Sequence, residues 1–274
     1  MTITTDIAGE LRSGVTVADL LCAQRGDHER HHWSPGTLFA GRRLSGPGER
    51  ARADLLRHTA LTAGPRGPRP APDGARLADE IRETNPLGAD VLRVAAAWTA
   101  RHWPREEARH AAALGRLREL AGLGRPGADE RRGTFPTGNY ARFCALRACA
   151  EADACGAYED AARTSEDPLV RDVFLAIARD EARHRRYFAA FARALVDSGA
   201  HPVKDVLSVA YTWIRRTGDD APPAQDPSGV LSLVRDATGI ETRSYDALRR
   251  ACFTSLRTND ADRIRAAVHR EPAA

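Results

Sequence analysis

One charged hexamer occurs twice in this chain, as REEARH at residues 105–110 and as RDEARH at residues 179–184. In both copies a glutamate precedes a histidine by three residues. Around the second copy this pair belongs to an unbroken series with spacings of three and four: Phe174, Ile177, Glu181, His184, Phe188, Phe191 and Leu195. A stripe with this period is the face that an α-helix turns toward a bundle core. The repeated hexamer therefore predicts bundle helices that carry acids and histidines on their buried side.

The first copy of the hexamer lies in a series of the same kind. Its members are Ala96, Ala100, Trp103, Glu107, His110, Leu114, Leu117 and Ala121. Side chains three residues apart are neighbours on a helix, so each motif aims a carboxylate and an imidazole at one point. Both acid–histidine pairs are thus expected to face the core.

The same periodicity fixes the predicted fold class. Apolar residues keep helical spacing over long stretches of the 274 residues, and no run alternates with period two. A segment rich in proline and glycine, 64–74, interrupts the helices. The chain is predicted to be all-α, a single domain (1–274) with a core bundle at about 46–216 and a C-terminal helical portion at about 227–270. The expected helices are 46–62, 75–84, 87–122, 137–164, 168–198, 202–216, 227–238, 242–257 and 260–270.

Composition narrows the setting and the partners. Hydrophobic residues make up 42% of the chain and charged residues 28%, and no apolar run is long enough for a membrane span. No secretory signal is visible, and five cysteines without metal-type pairing fit a reduced, cytoplasmic protein. The net charge of +4 comes from arginines mixed with acids along the helices, which argues against nucleic acid and leaves an acidic protein partner open.

Carboxylates on a core-facing stripe need compensation, because burying an unpaired charge is costly. One interpretation is that the two motifs satisfy each other as buried ion pairs. The other is a dinuclear metal site, since some four-helix bundles bind two metals with two Glu-x-x-His helices and a Glu from each of two further helices. Histidine and carboxylate ligands with open positions suit iron or manganese.

Glu151 is the candidate for the third ligand-bearing helix. It lies at the centre of an apolar stripe whose other members are Tyr140, Cys144, Ala148, Cys155 and Tyr158. It precedes Glu181 by 30 residues (181 − 151), which suits two antiparallel helices joined by a short turn. The predicted metal ligands are Glu107, His110, Glu151, Glu181 and His184.

With these residues in place, the chain resembles the soluble acyl-[acyl-carrier-protein] desaturases. The similar segments are AAAWTARHWPREEARH (95–110), GNYARFCALRACAEADACGAYEDAAR (138–163), LAIARDEARHRRYF (175–188) and SLVRDATGIETRSYDALRRACF (232–253). The resemblance implies a ferritin-like four-helix bundle core with additional N- and C-terminal helices. It also implies two iron ions (Fe2+/Fe3+), bridged by Glu107 and Glu181, with His110 and His184 as terminal ligands and Glu151 on the second iron.

Two features depart from the pattern of that family. Its sixth ligand is a Glu upstream of the first histidine motif, but the corresponding segment, 58–74, contains no Glu. His58 and Asp54 are the nearest substitutes. Pro104 lies one turn before Glu107, where it must either kink the helix or begin a new one at its first turn.

The function that the resemblance implies is O2-dependent desaturation, or a related C–H oxidation, of an acyl chain carried on acyl carrier protein, as in fatty acid metabolism and lipid biosynthesis. It also implies a ferredoxin-like electron donor and a homodimer. One alternative is a degenerate ferritin-like protein that binds the carrier protein with an incomplete metal site. Another is an oxidase of a short or unusual carrier-bound group in specialised metabolism. The arginines considered for carrier contact are Arg183, Arg185, Arg186, Arg215 and Arg216.

Overall fold

A computed structural model describes residues 6–45, 71–123, 139–216 and 227–269. Every regular element among these residues is an α-helix, which confirms the predicted all-α class. None of the described helices is both long enough and apolar enough to cross a bilayer. In chain order the helices are α1 (Ile7–Arg12), α2 (Val17–Arg30), α3 (Pro35–Phe39), α4 (Gly74–Ile81), α5 (Pro86–Arg101), α6 (Trp103–Leu120), α7 (Tyr140–Thr164), α8 (Pro168–Asp197), α9 (Val203–Arg216), α10 (Pro227–Thr238), α11 (Tyr245–Ser255) and α12 (Ala261–Val268).

The two longest helices, α7 and α8, pack against each other along the molecule. The turn between them is sharp because Asp167 caps α8: its carboxylate accepts hydrogen bonds from the N–H groups of Leu169 at 2.8 Å and Val170 at 3.1 Å. Pro168 occupies the first turn of α8, where its missing N–H costs nothing. The hairpin brings Glu151 of α7 and Glu181 of α8 together, as their spacing predicts.

The prediction of one continuous helix over 87–122 is wrong, because the structure divides this segment at His102 into α5 and α6. Pro104 lies in the first turn of α6, so it begins a new helix rather than kinking an old one. The break also changes the helix phase: α5 buries Val94 and Trp98, whereas Ala100 is exposed. The stripe predicted through Ala96 and Ala100 therefore holds only from Trp103 onward.

Residues 6–45 carry three helices that periodicity did not reveal, whereas the helix predicted over 46–62 lies outside the described residues. Helix α2 packs on α5, and α1 packs on both α5 and α8. A capping box at Thr16, whose side chain and backbone bond reciprocally with Asp19, fixes the start of α2. This segment places the end of α2 and the residues after it against α6 and α8.

The C-terminal helices pack against the α7–α8 hairpin and against one another. Helix α9 packs on α7, α10 packs on α8 and α7, and α11 packs on α9 and pairs with α12. Their bounds lie within a few residues of the predicted ones.

The buried apolar residues form two clusters with a charged layer between them. On α6, Trp103 belongs to one cluster and Ala113 to the other, with Glu107 and His110 between them. The same order, reversed in direction, holds on α8, where Ile177 precedes and Phe188 follows the acid–histidine pair. Three helices thus bring their polar residues to one level inside an otherwise apolar bundle.

Candidate metal centre

Four side chains from α6, α7 and α8 converge in this layer. Glu107, Glu151, Glu181 and His184 each offer one ligand atom, and these atoms lie within 4.8 Å of one another. The Nδ1 atom of His184 is 3.2 Å from Glu181 Oε2, 3.3 Å from Glu107 Oε1 and 4.0 Å from Glu151 Oε2. All are buried except Glu107, whose side chain remains 23% exposed. The arrangement can hold a metal ion.

His110, the remaining predicted ligand, lies at the side of this group. Its Nδ1 atom is 3.3 Å from Glu181 Oε1 and 4.0 Å from Glu107 Oε1. This buried nitrogen has no aligned hydrogen bond among the described residues. A buried polar atom without a partner is costly, so its orientation toward two carboxylates is what a cation site would require.

The Nε2 atom of each histidine, on the side of the ring away from the carboxylate cluster, contacts an acid of the other hexamer. The Nε2 atom of His110 lies 3.0 Å from Asp180 Oδ2, and the Nε2 atom of His184 lies 2.7 Å from Glu106 Oε2. In both hexamers this acid comes directly before the predicted ligand glutamate. Such outer carboxylates fix the orientation of a ligand histidine, because they hold the ring nitrogen that does not face the metal.

The arginine before each histidine completes this exchange. Arg109 donates to Asp180 at 2.8 Å, and Arg183 donates to Glu106 and Asp180, both at 2.8 Å. Arg183, one of the arginines considered for carrier contact, is only 3% exposed, so its guanidinium is not accessible to a partner. Its guanidinium is instead paired with two buried acids, Glu106 and Asp180. In each hexamer, the acid before the predicted ligand Glu and the arginine before the His therefore both have a structural role.

The end of α2 and the residues after it contact the charged layer. His28 hydrogen bonds to Glu106 through Nδ1, and the indole N–H of Trp33 donates to Asp180 at 2.8 Å. The guanidinium of Arg109 lies 2.9 Å from His32 Nδ1. Sequence reasoning missed these residues, because they follow no stripe. It also missed Glu106 and Asp180, although the repetition of an acid at that position was a usable signal.

On the opposite side, Arg147 of α7 reaches into the cluster. Its Nε donates to Glu151 Oε1 at 3.0 Å, and its Nη2 contacts the same oxygen. The guanidinium lies over the ring of Trp103, 4.6 Å from the centroid. Arg147 thus pairs with one predicted metal ligand within the bundle.

The charges of the cluster shift several pKa values. Burial alone would raise the pKa of Glu106, but the hydrogen bond from His184 and the charge of Arg183 outweigh it and hold the pKa at about 2. Burial would lower the pKa of His110, but Asp180 and Glu181 raise it to about 10. For Glu151 burial dominates and the pKa lies well above its usual range, even beside Arg147. Without a cation, protons and arginines balance these carboxylates.

The residues present fit a cation with nitrogen and oxygen ligands. Two Nδ1 atoms face three carboxylates, and both histidines are held at Nε2 by acids. Among the described residues, Glu107, Glu151 and Glu181 are the carboxylates that face the Nδ1 atoms, since Glu106 and Asp180 contact Nε2. His58 and Asp54, the substitutes considered for the sixth ligand, lie outside the described residues.

Comparison with protein-family models, with curated proteins and with solved structures finds no match for this chain.

Proposed function

We propose that the protein is a non-haem di-iron oxidoreductase that uses O2 to desaturate, or otherwise oxidise at C–H, an acyl chain carried on acyl carrier protein. The observation that carries the proposal is the convergence of Glu107, Glu151, Glu181 and His184 within 4.8 Å, inside an apolar bundle. Mixed histidine and carboxylate ligands suit iron or manganese. The paired Glu-x-x-His motifs and their flanking segments, which resemble the soluble desaturases, support iron and the acyl substrate.

In this proposal bound iron supplies the activation of O2 and the transfer of electrons, and the chain supplies the environment. Glu107, Glu181 and the two histidines would hold the cations, and Glu151 would add a ligand on the His184 side. Glu106 and Asp180 keep each imidazole oriented with Nδ1 inward. The apolar clusters on both sides exclude water from the layer and would keep an acyl chain away from solvent.

The partner proposals are supported by charge and by the resemblance. Acyl carrier proteins are acidic, and the chain carries a net charge of +4. Arg186 and Arg215 are exposed, whereas Arg185 is partly engaged by Ser232 and Asp236. A ferredoxin-like donor, a cytoplasmic location and a homodimer complete the proposal by resemblance.

Iron loading tests the metal. Protein purified without chelators is loaded with Fe2+ under argon, desalted and assayed for iron, with Glu119→Gln on the exposed face of α6 as a control for charge removal. We expect iron in the wild type and the control, and its loss in Glu181→Ala. Less than about one iron per chain in the wild type would contradict the proposal.

Turnover tests the reaction. Loaded protein is mixed with reduced ferredoxin, O2 and acyl carrier proteins bearing acyl chains of graded length, and the released acyl groups are analysed by mass spectrometry. A loss of two hydrogens indicates desaturation, and a gain of one oxygen indicates hydroxylation. Including short and aminoacyl carriers tests the alternative of an unusual carrier-bound substrate.

The second candidate is a carrier-binding protein without oxygen chemistry. It is favoured by one observation: Arg147 donates a hydrogen bond to an oxygen of Glu151, a predicted metal ligand. It predicts binding of acylated carrier protein without O2 consumption by the reduced, iron-loaded protein. Stopped-flow mixing with O2 distinguishes it from the oxidoreductase.

A further inference from the structure

The two histidines face unequal sets of ligand atoms. His184 Nδ1 has carboxylate oxygens from Glu181, Glu107 and Glu151 within 4.0 Å. His110 Nδ1 has oxygens from Glu181 at 3.3 Å and from Glu107 at 4.0 Å, and these two acids are shared with the other side. Among the described residues, the His184 side therefore offers four donors and the His110 side three.

Arg147 adds a positive charge to this cluster. Its guanidinium binds one oxygen of Glu151, so that only Oε2 of that carboxylate faces His184. Its charge also acts on Glu107 and Glu181. Because the guanidinium lies over the Trp103 ring and most of the side chain is covered, it is held in place rather than free to leave for solvent.

The charges balance for one divalent cation. When the ligand groups are deprotonated, as metal binding requires, Glu107, Glu151 and Glu181 carry −3 and the histidines are neutral. Among the described residues, Arg147 with one divalent cation then carries +3. Behind the histidines, Glu106 and Asp180 carry −2, and Arg109 and Arg183 carry +2. A second divalent cation would leave the inner group at +2, which is unfavourable in a largely buried layer where water screens charge weakly.

We infer that the centre binds two cations with unequal affinity. The first binds on the His184 side. Because Arg147 already supplies a positive charge, the second cation binds at least about tenfold more weakly. This inference rests on the proposed metal centre and specifies how that centre fills. It makes Arg147 a competitor of the second cation and a positioning residue for Glu151.

Manganese titration tests the inference without oxygen chemistry. Mn2+ is added to metal-free protein, heats are recorded by isothermal titration calorimetry, and the spin state is followed by electron paramagnetic resonance. We expect the wild type to bind one Mn2+ tightly and to show the six-line signal of an isolated ion. In Arg147→Met, whose apolar side chain still covers Trp103, the second Mn2+ should bind at least tenfold more tightly and give a coupled spectrum.

The matched control is Arg147→Lys, which keeps the charge and should retain the wild-type stoichiometry. If Arg147→Met does not fold, Arg147→Gln removes the charge with a side chain that still donates to Glu151, and the same gain is expected. Two equally tight Mn2+ ions in the wild type would overturn the inference but leave the proposed metal centre standing. Weaker binding of the first Mn2+ in the neutral variants, without a gain in the second, would also overturn it. No Mn2+ binding in any variant would overturn both.

Discussion

At the scale of single residues, one acid contacts the Nε2 atom of each predicted ligand histidine. In both cases the acid comes from the hexamer that does not contain the histidine. Glu106 holds His184 and Asp180 holds His110. The exchange couples α6 to α8 through hydrogen bonds that also fix both rings. The acid next to each predicted ligand glutamate is therefore part of the candidate metal centre, although it is not expected to touch a metal ion.

Removing the charge of these acids should weaken metal binding without removing a ligand. We expect Glu106→Gln to reduce the affinity for the first Mn2+ by roughly 10- to 100-fold, because the His184 imidazole loses its orienting carboxylate. Asp180→Asn acts on His110 instead and should reduce that affinity by less than about tenfold. Calorimetric titration measures the change, with Glu119→Gln as the surface control. Unchanged affinity in Glu106→Gln would show that this acid only balances the buried Arg183.

The two histidines should not be equivalent. We expect His184→Ala to reduce the affinity for the first Mn2+ by at least about 100-fold, and His110→Ala to reduce it by less than about tenfold. The reason is that four donors converge at His184 and three at His110. The same titration checks this order. Equal losses in the two variants would argue that the first cation bridges both sides from the start.

At the scale of elements, the cap of α8 sets where its acid–histidine pair lies. Asp167 accepts hydrogen bonds from the backbone N–H groups of Ser45, Leu169 and Val170. Burial alone would raise the pKa of Asp167, but these bonds outweigh it and lower the pKa below 3.8. The contribution of the cap is therefore present above pH 3.8 and is lost as the pH falls through the lower folded-state pKa.

This cap gives a stability prediction with a pH signature. We expect Asp167→Ala to lower the free energy of unfolding by about 1–2 kcal/mol at neutral pH, because the first N–H groups of α8 lose their acceptor. Urea unfolding followed by circular dichroism measures the difference, which should shrink as the pH falls below about 4. Asp172→Ala, an exposed position of the same helix, is the control and should cost less than about 1 kcal/mol. A difference that stays constant with pH would contradict the role of the charged cap.

At the scale of the whole molecule, the charged layer joins three helices that otherwise meet through two separate apolar clusters. Glu107 and His110 come from α6, Glu151 from α7, and Glu181 and His184 from α8. A cation that binds only the folded arrangement stabilises it by mass action. The metal should therefore be a stabilising cross-link of the bundle.

Thermal unfolding tests this cross-link. At Mn2+ concentrations about 100-fold above the dissociation constant, the folded state should gain about 2.7 kcal/mol, seen as a rise in melting temperature that EDTA reverses. Glu181→Gln, which removes the carboxylate shared by both histidines, should show little of that rise. An equal rise in this variant would mean that the metal binds elsewhere.

The sequence by itself determined the fold class and the convergence of the centre. Helical periodicity predicts the all-α fold, and the position of Glu181 and His184 on an apolar stripe requires them to face the interior, since no other part of that helix surface is as apolar. The interval between Glu151 and Glu181 likewise follows from the length of a helical hairpin. These properties depend on local spacing, which a single chain displays directly.

Only the tertiary structure decided what surrounds the ligands. Arg183 belongs to a charged, surface-like pattern in sequence, yet it is buried because Glu106 of another helix pairs with it. His28 and Trp33 reach the layer from a segment with no periodic signal, and Pro104 begins a helix because α5 ends beside it. Arg147 meets Glu151 one turn away on the same face, but only packing against Trp103 fixes the guanidinium within the cluster. Burial and charge pairing across helices depend on which surfaces meet, and local spacing does not encode that.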